Sequence, residues 1–388
     1  MIRTILLSLG LLCLMATAND SVYNGSGNQL VPLTETDIAI TREVLTISLR
    51  DDGTTDIDVW YELFNKGPEK TVLMGFEADA PYAGEPEWYD GTHPNIHDFR
   101  VEMNDVPVLY QTAVVRPDIQ QNGLQPLDIR GLADSPDWEN YYGRTFVWQK
   151  GDSVINYTCA YYFPAKFREG KNTIHHTYAY NYSFGAGTVF WVDYKLTPAT
   201  RWANGQIDDF TLRIRADHTA KHFVIADEKL FSAAPFRITE GMGKQRTVHY
   251  QDASAREFSL RNGTVEWHST AFCPTSELRI LSADVLESFD NPTLAFFYDR
   301  NAQFFDAYSP LQHFLNPTYW GFTPKEDEAF IRRVLCNLPY AHCGYVFRNK
   351  QLREFFESKW WYMPDSTWKA SSADFTPSEQ QLIKQYKQ

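Results

Sequence analysis

From Ile38 to about Leu281, apolar residues recur at every second position in short runs broken by Gly, Pro, Asn and Asp, the pattern of strands that bury one face. Ile57, Val59, Tyr61 and Leu63 share a face, and Asn65-Lys66-Gly67-Pro68 then turns the chain. Phe99, Val101 and Met103 precede Asn104-Asp105, with Val106, Val108 and Tyr110 after it, which predicts a hairpin. Further strands are predicted over 153–163, 173–184, 188–196, 209–215, 264–268 and 277–281. No long helical period interrupts them, so the expected architecture is mostly β: antiparallel sandwiches, two of them by strand number, over 19–165 and 166–285. Two stretches, 80–97 and 116–145, are much longer than the usual connection of roughly 4 to 6 residues and are natural binding loops.

Beyond Leu281 the pattern changes. An aromatic-rich connector, 286–321, leads to two matching helix starts, Phe322-Thr323-Pro324-Lys325-Glu326 and Phe375-Thr376-Pro377-Ser378-Glu379. Each offers Thr as N-cap, Pro at the first helical position, Glu at the third and a Phe as hydrophobic staple. The first helix is expected to bury Phe330, Ile331, Val334, Leu335 and Leu338 and to end at Gly344. Asn349 caps a second helix burying Leu352, Phe355 and Phe356, and Leu382, Ile383 and Tyr386 line a third. A small three-helix domain over 322–388 follows.

The N-terminus changes the picture of where the chain works. Arg3, an apolar run from Ile5 to Met15 and Ala16-Thr17-Ala18 have the order of a cleavable secretory signal, residues 1–18. The run is about half the roughly 20 residues that span a bilayer, and no later stretch is longer, so an integral membrane protein is not expected. Losing Arg3 takes the formal charge from -13 to -14, which disfavours nucleic acid and anionic lipid as partners. Cys159, Cys273, Cys336 and Cys343 remain, with three possible pairings. A Cys336–Cys343 bridge is hard on one helix, where seven residues span roughly 10 Å against a reach of about 7 Å, unless Pro339 breaks that helix.

Candidate chemistry is sparse. Glu85, Glu87, Asp90, His93, His97 and Asp98 put metal-ligating types in one loop, with His93, His97 and Asp98 the candidate ligands, although a polar surface loop has the same composition. His218 and His222 repeat the spacing in what reads as a solvated turn. Ile174, His176, Tyr178, Tyr180, Tyr182 and Phe184 form a period-two stripe: an aromatic platform for sugar rings if open, core if buried. Trp360-Trp361-Tyr362 is either an anchor of the small domain or a ligand groove. Cys343 beside His342 is no activated pair, since helix neighbours diverge by about 100°. No serine sits in a Gly-x-Ser-x-Gly setting.

Tyr340-Ala341-His342-Cys343-Gly344-Tyr345-Val346-Phe347 resembles the signature of YARHG, a small extracellular bacterial domain, together with Leu352, Phe355-Phe356, Trp361-Tyr362 and Pro364. The chain departs where that family shows Arg-His, having His342-Cys343 instead. A second resemblance, to an uncharacterised extracytoplasmic family called domain of unknown function 4424, is carried by Tyr194-Lys195-Leu196, Trp202, Gly205 to Ile214, Pro274 and Glu277 to Ile280, with looser cues at Tyr61 to Asn65 and Tyr162-Phe163-Pro164. It implies a secreted, β-rich protein. The combined expectation is an exported bacterial cell-envelope binding protein, without a cofactor, whose partner is an envelope glycan, peptidoglycan or an envelope protein. Its ligand-contacting candidates are Trp360, Trp361, Tyr362, Tyr178, Tyr180 and Tyr182. The alternatives are a metal-dependent hydrolase built on His93, His97 and Asp98, and a structural assembly component.

Overall fold

The computed structural model describes residues 26–28, 31–33, 37–79, 93, 95–116, 124–127, 139–140, 147–150, 153–156, 158–184, 190–217, 221–282, 328–375 and 377–387. The signal segment, the first Thr-Pro helix start, the 286–321 connector and most of the two long loops lie outside these.

The chain is mostly β with three helices at its C-terminal end, and among the described residues strand pairing is antiparallel with two exceptions. An eight-stranded sheet runs in the order Arg237–Thr239, Thr264–Phe272, Ile207–Ala216, Ile38–Leu49, Thr54–Asn65, Gly170–Asn181, Ile96–Met103 and Val106–Pro107. Near its centre, Ile207–Ala216 joins Ile38–Leu49 in parallel. Two smaller sheets pack on this one. The four-stranded sheet Val31–Pro32, Lys70–Asp79, Thr158–Phe167, Gln111–Val115 meets it through Phe76, whose ring lies 5.4 Å from Tyr178 and 5.3 Å from Phe99. The seven-stranded sheet containing Phe190–Lys195, Leu278–Ser282, His222–Ile225, Ala253–Leu260 and Gly243–Tyr250 meets it where the Tyr180 hydroxyl donates to the Asp193 carbonyl at 2.9 Å. One continuous core runs from Ile38 to Ile280. The boundary expected at 165/166 falls inside the strand Thr158–Phe167, and strands from both sides of it share the eight-stranded sheet and the core.

Local chemistry explains the turns. Asn104 and Asp105 both adopt positive φ, 51° and 64°, which is the requirement of a type I′ hairpin turn and is least costly for Asn and Asp. Gln251 and Asp252 do the same between Gly243–Tyr250 and Ala253–Leu260. The strand Ile38–Leu49 changes phase midway. Its register shifts between Ile40 and Arg42, so Ile38 and Ile40 face inward before the bulge, and Glu43, Leu45, Ile47 and Leu49 after it. The bulge thus turns a carboxylate into the core: Glu43 is fully buried opposite Tyr61. The nearby Tyr194 hydroxyl is held well above the usual tyrosine range by burial first, then by Tyr61, Tyr178 and Glu43.

The Ile174-to-Tyr182 stripe lies in this interior. Tyr178, Tyr180 and Tyr182 are 3%, 0% and 1% exposed, so they pack as core and offer no open platform. His176 shares the stripe, its ring stacked between Tyr61 (5.6 Å, 13°) and Tyr178 (5.8 Å, 5°).

Three helices follow, α1 (Glu328–His342), α2 (Lys350–Glu357) and α3 (Pro377–Tyr386). The expected apolar faces hold: Ile331, Val334, Leu335, Leu338, Leu352, Phe356, Leu382 and Tyr386 form one buried cluster, with Phe330 and Phe355 packed against it. Asn349 accepts from the Leu352 N–H at 3.1 Å as the cap of α2, and Pro377 opens α3. Cys159, Cys273, Cys336 and Cys343 are joined by no disulfide; the helix carries Cys336 and ends just before Cys343, keeping them almost two turns apart. Among the described residues no helix is long and apolar enough to cross a membrane.

Candidate functional site

The edge strand Gly243–Tyr250 alternates Lys244 and Arg246 on one face. Cross-strand register then sets Lys244 opposite Ser259 and Ser259 opposite His222, with Arg246 opposite Glu257 in the next row. Edge strands commonly carry such charges, which discourage pairing with another chain. Here they also receive the helical domain. The Lys244 ammonium donates to the carbonyls of Trp360 (2.9 Å) and Tyr362 (2.8 Å). Arg246 lies 4.4 Å from the centre of the Trp360 ring while its Nε donates to Glu257 at 2.6 Å. Arg261 pairs with Asp365 at 3.0 Å and reaches the Met363 carbonyl at 3.4 Å. Three cations thus hold one short segment, Trp360 to Asp365.

Electrostatics at this seam follows from burial. Glu257 is 3% exposed; desolvation raises its pKa, opposed by hydrogen bonds from Arg246 and Trp360. Asp365 is held low chiefly by the hydroxyl and N–H of Thr367, with Arg261 adding to this. Beneath the cations lies a buried polar layer of Lys221, His222, His342, Cys343 and Glu379. His342 sits 5.3 Å from His222 and 4.5 Å from Trp361, edge to face with the latter. Burial lowers the Lys221 pKa, against the attraction of Cys343 and Glu379. Burial likewise pushes the Cys343 thiol up to about 11, more than Lys221 draws it down, so it stays protonated and is no nucleophile at neutral pH.

The His342-Cys343 departure has a physical reason at this seam. An Arg at 342 would bring a permanent cation into a buried layer that already holds Lys221 and His222. The glycine that follows is required. α1 closes with the Tyr345 N–H on the Tyr340 carbonyl and the Gly344 N–H on the Ala341 carbonyl, and Gly344 has φ +88°. A Cβ there would also lie 2.7 Å from both Arg261 Nη1 and the Met363 oxygen.

The ligand candidates Trp361 and Tyr362 are buried, 2% and 3% exposed, and Trp360 is half-buried under Arg246. They join the two parts of the chain. The metal candidates do not converge. His93 is buried, its Nδ1 accepting from the Asn95 N–H at 3.1 Å. His97 starts a strand rather than sharing a helix face with it, and meets Asn181 at 3.2 Å on the surface; Asp98 is exposed at positive φ. Among the described residues no three His, Cys, Asp or Glu side chains are grouped to hold a metal. Lys221, Lys244, Arg246, Glu257 and Arg261 carry no signal in the sequence, because polar alternation on an edge strand reads as a solvated face. His218 lies outside the described residues, whereas His222 is part of the buried layer.

Lys244→Ala tests the seam. It removes the one side chain among the described residues that bonds both carbonyls, and partial exposure limits the cost to about 1 kcal/mol. Hydrogen exchange at 360–363 is expected to accelerate several-fold while the core strands keep their protection.

Comparison with known proteins agrees at the C-terminal end. Residues 324–388 match the YARHG domain, a match that does not reach the strands carrying the second resemblance. No curated protein matches the chain. Among solved structures, a Legionella pneumophila protein provisionally named a nutrient binding protein is similar over 94% of this chain and 98% of its own, at 20% identity and TM-score 0.49. An M1 zinc metallopeptidase of Deinococcus radiodurans is similar over 65% of this chain and 43% of its own, at 8% identity and TM-score 0.26. Baculovirus P35 is similar over 64% and 98%, at 10% and 0.24. The described helices α1 to α3 and the segment held at the seam all lie within residues 324–388, the part of the chain that matches the YARHG domain.

Proposed function

We propose that this is an exported bacterial cell-envelope binding protein, whose β-rich body presents a YARHG domain to a glycan, peptidoglycan or protein of the envelope. The observation that carries the reading is the seam. Lys244 and Arg246 of the sheet and Arg261 just past it fix the Trp360-to-Asp365 segment, so the helical domain is held in one orientation and not merely tethered. A preset orientation lowers the entropy lost when a surface engages a partner. The signal-like N-terminus and the YARHG match support an extracytoplasmic site of action.

Thermal shift of the mature chain against muropeptides, envelope polysaccharides and divalent metals tests this. A rise with a glycan or muropeptide supports it. A rise with a metal alone, lost in His93→Ala, overturns it in favour of the hydrolase.

A further inference from the structure

Four aromatic rings of the helical domain close a circuit beside the seam. Tyr340 lies on the last turns of α1, Tyr345 just past Gly344, Trp368 in the turn after Asp365, and Phe375 ahead of α3. Going round, the centroid separations are 6.1 Å from Tyr340 to Tyr345, 6.3 Å to Trp368, 6.4 Å to Phe375 and 4.9 Å back to Tyr340. The interplanar angles are 67°, 80°, 70° and 65° in the same order.

Each ring therefore stands steeply against both neighbours. The diagonal pairs, Tyr340 with Trp368 and Tyr345 with Phe375, are not in ring contact. Phe375 is 9% exposed and closes one side, Tyr340 and Trp368 are half-buried, and Tyr345 is 36% exposed, so the circuit meets solvent on the side of Tyr345.

Aromatic faces carry negative potential, and a cation within roughly 6 Å of a ring centre is attracted to it. Among the described residues, no Lys or Arg of this chain sits over any of the four rings. A hydrated Lys-type ammonium gives up strong water contacts to enter such a space, whereas a methylated ammonium is bulky and weakly hydrated and presents methyl groups to every wall. Asp374 beside Phe375 offsets Lys369 beside Trp368, and the chain as a whole is strongly anionic, which favours a cationic guest.

We infer that Tyr340, Tyr345, Trp368 and Phe375 form an aromatic box for a methylated ammonium group, such as choline or a choline-type lipid headgroup carries. This gives a ligand class to the binding role proposed above and rests on it.

Calorimetric titration of the intact mature protein with choline and with 3,3-dimethylbutan-1-ol, its neutral isostere, tests the box. Choline is expected to bind at least ~10-fold more tightly than the alcohol, because only the cation gains from the ring faces. Tyr345→Ala, an exposed position whose loss should leave the melting temperature nearly unchanged, should weaken choline at least ~10-fold, and Trp368→Phe should weaken it less. Equal affinity for the two ligands, no choline binding, or choline binding untouched by Tyr345→Ala overturns the proposal. Flotation with phosphatidylcholine against phosphatidylglycerol vesicles separates the sources. Retention on phosphatidylcholine that requires Tyr345 assigns a lipid headgroup; choline binding without retention assigns a free solute. Muropeptide or glycan binding alongside an inert box would leave the broader binding role standing while this inference falls.

Discussion

His176→Phe is expected to make the protein more stable and much less sensitive to acid. His176 is fully buried, and neither ring nitrogen has a hydrogen-bond partner among the described residues. Burial, with a smaller contribution from the neighbouring charge of His175, lowers its pKa from 6.5 to about 3. The folded state therefore holds the neutral ring while the unfolded state takes up a proton near pH 6.5. The sign follows from that difference: stability is complete above pH 6.5 and is lost as pH falls from 6.5 toward 3, by about 1.4 kcal/mol per pH unit and about 4 to 5 kcal/mol in all. Phenylalanine keeps the ring between Tyr61 and Tyr178 and removes both unsatisfied nitrogens. Urea unfolding at pH 7 and pH 4 should show the variant losing several kcal/mol less than the parent between the two. Parallel losses would mean that the ring is not the proton sink.

That histidine shows what a single sequence can reveal. Period-two alternation places His176 on the same face as Ile174 and Tyr178 and so predicts a shared fate, which is burial. The hairpin at Asn104-Asp105 and the cap at Asn349 were legible for a similar reason: each is a local backbone demand met by a residue type suited to it. Glu43 is harder to read. Counting forward from Ile38 puts it outside and counting back from Leu49 puts it inside, and the bulge that reconciles the two phases leaves no mark in composition. The seam is less legible still. Lys244, Ser259 and His222 become one row only after three strands pair, and no local period encodes which strands those are.

Trp361→Ala should have the second large effect. Its indole is 2% exposed between His342, Phe356 and Tyr362, with His222 of the sheet at 5.9 Å. Truncating a buried tryptophan costs about 3 to 5 kcal/mol. A domain of this size has little reserve stability, so the loss is expected to fall on the helices and their docking together. Calorimetry should resolve an early transition for 328–387 ahead of the β-rich body. Trp360→Ala serves as the comparison: it is half-buried, and removing its stacking with Arg246 should cost about 1 kcal/mol. A Trp361→Ala variant no less stable than Trp360→Ala would mean that the cations, not the indole, hold the domain.

The parallel join at the centre of the eight-stranded sheet bears on how the chain reaches this state. Ile38–Leu49 takes its partner from Ile207–Ala216, and Asn204 bonds the Ile40 backbone from 164 residues away. Synthesis delivers the early hairpin Ile38–Asn65 long before that neighbour exists, leaving one twelve-residue strand with an open row of amides and carbonyls. Long loop closure makes such pairings slow, and an open edge of that length is a template for another copy of the same chain. Maturation of this protein is thus a race between closing its own sheet and joining a neighbour's, and it is run hardest when many chains emerge together.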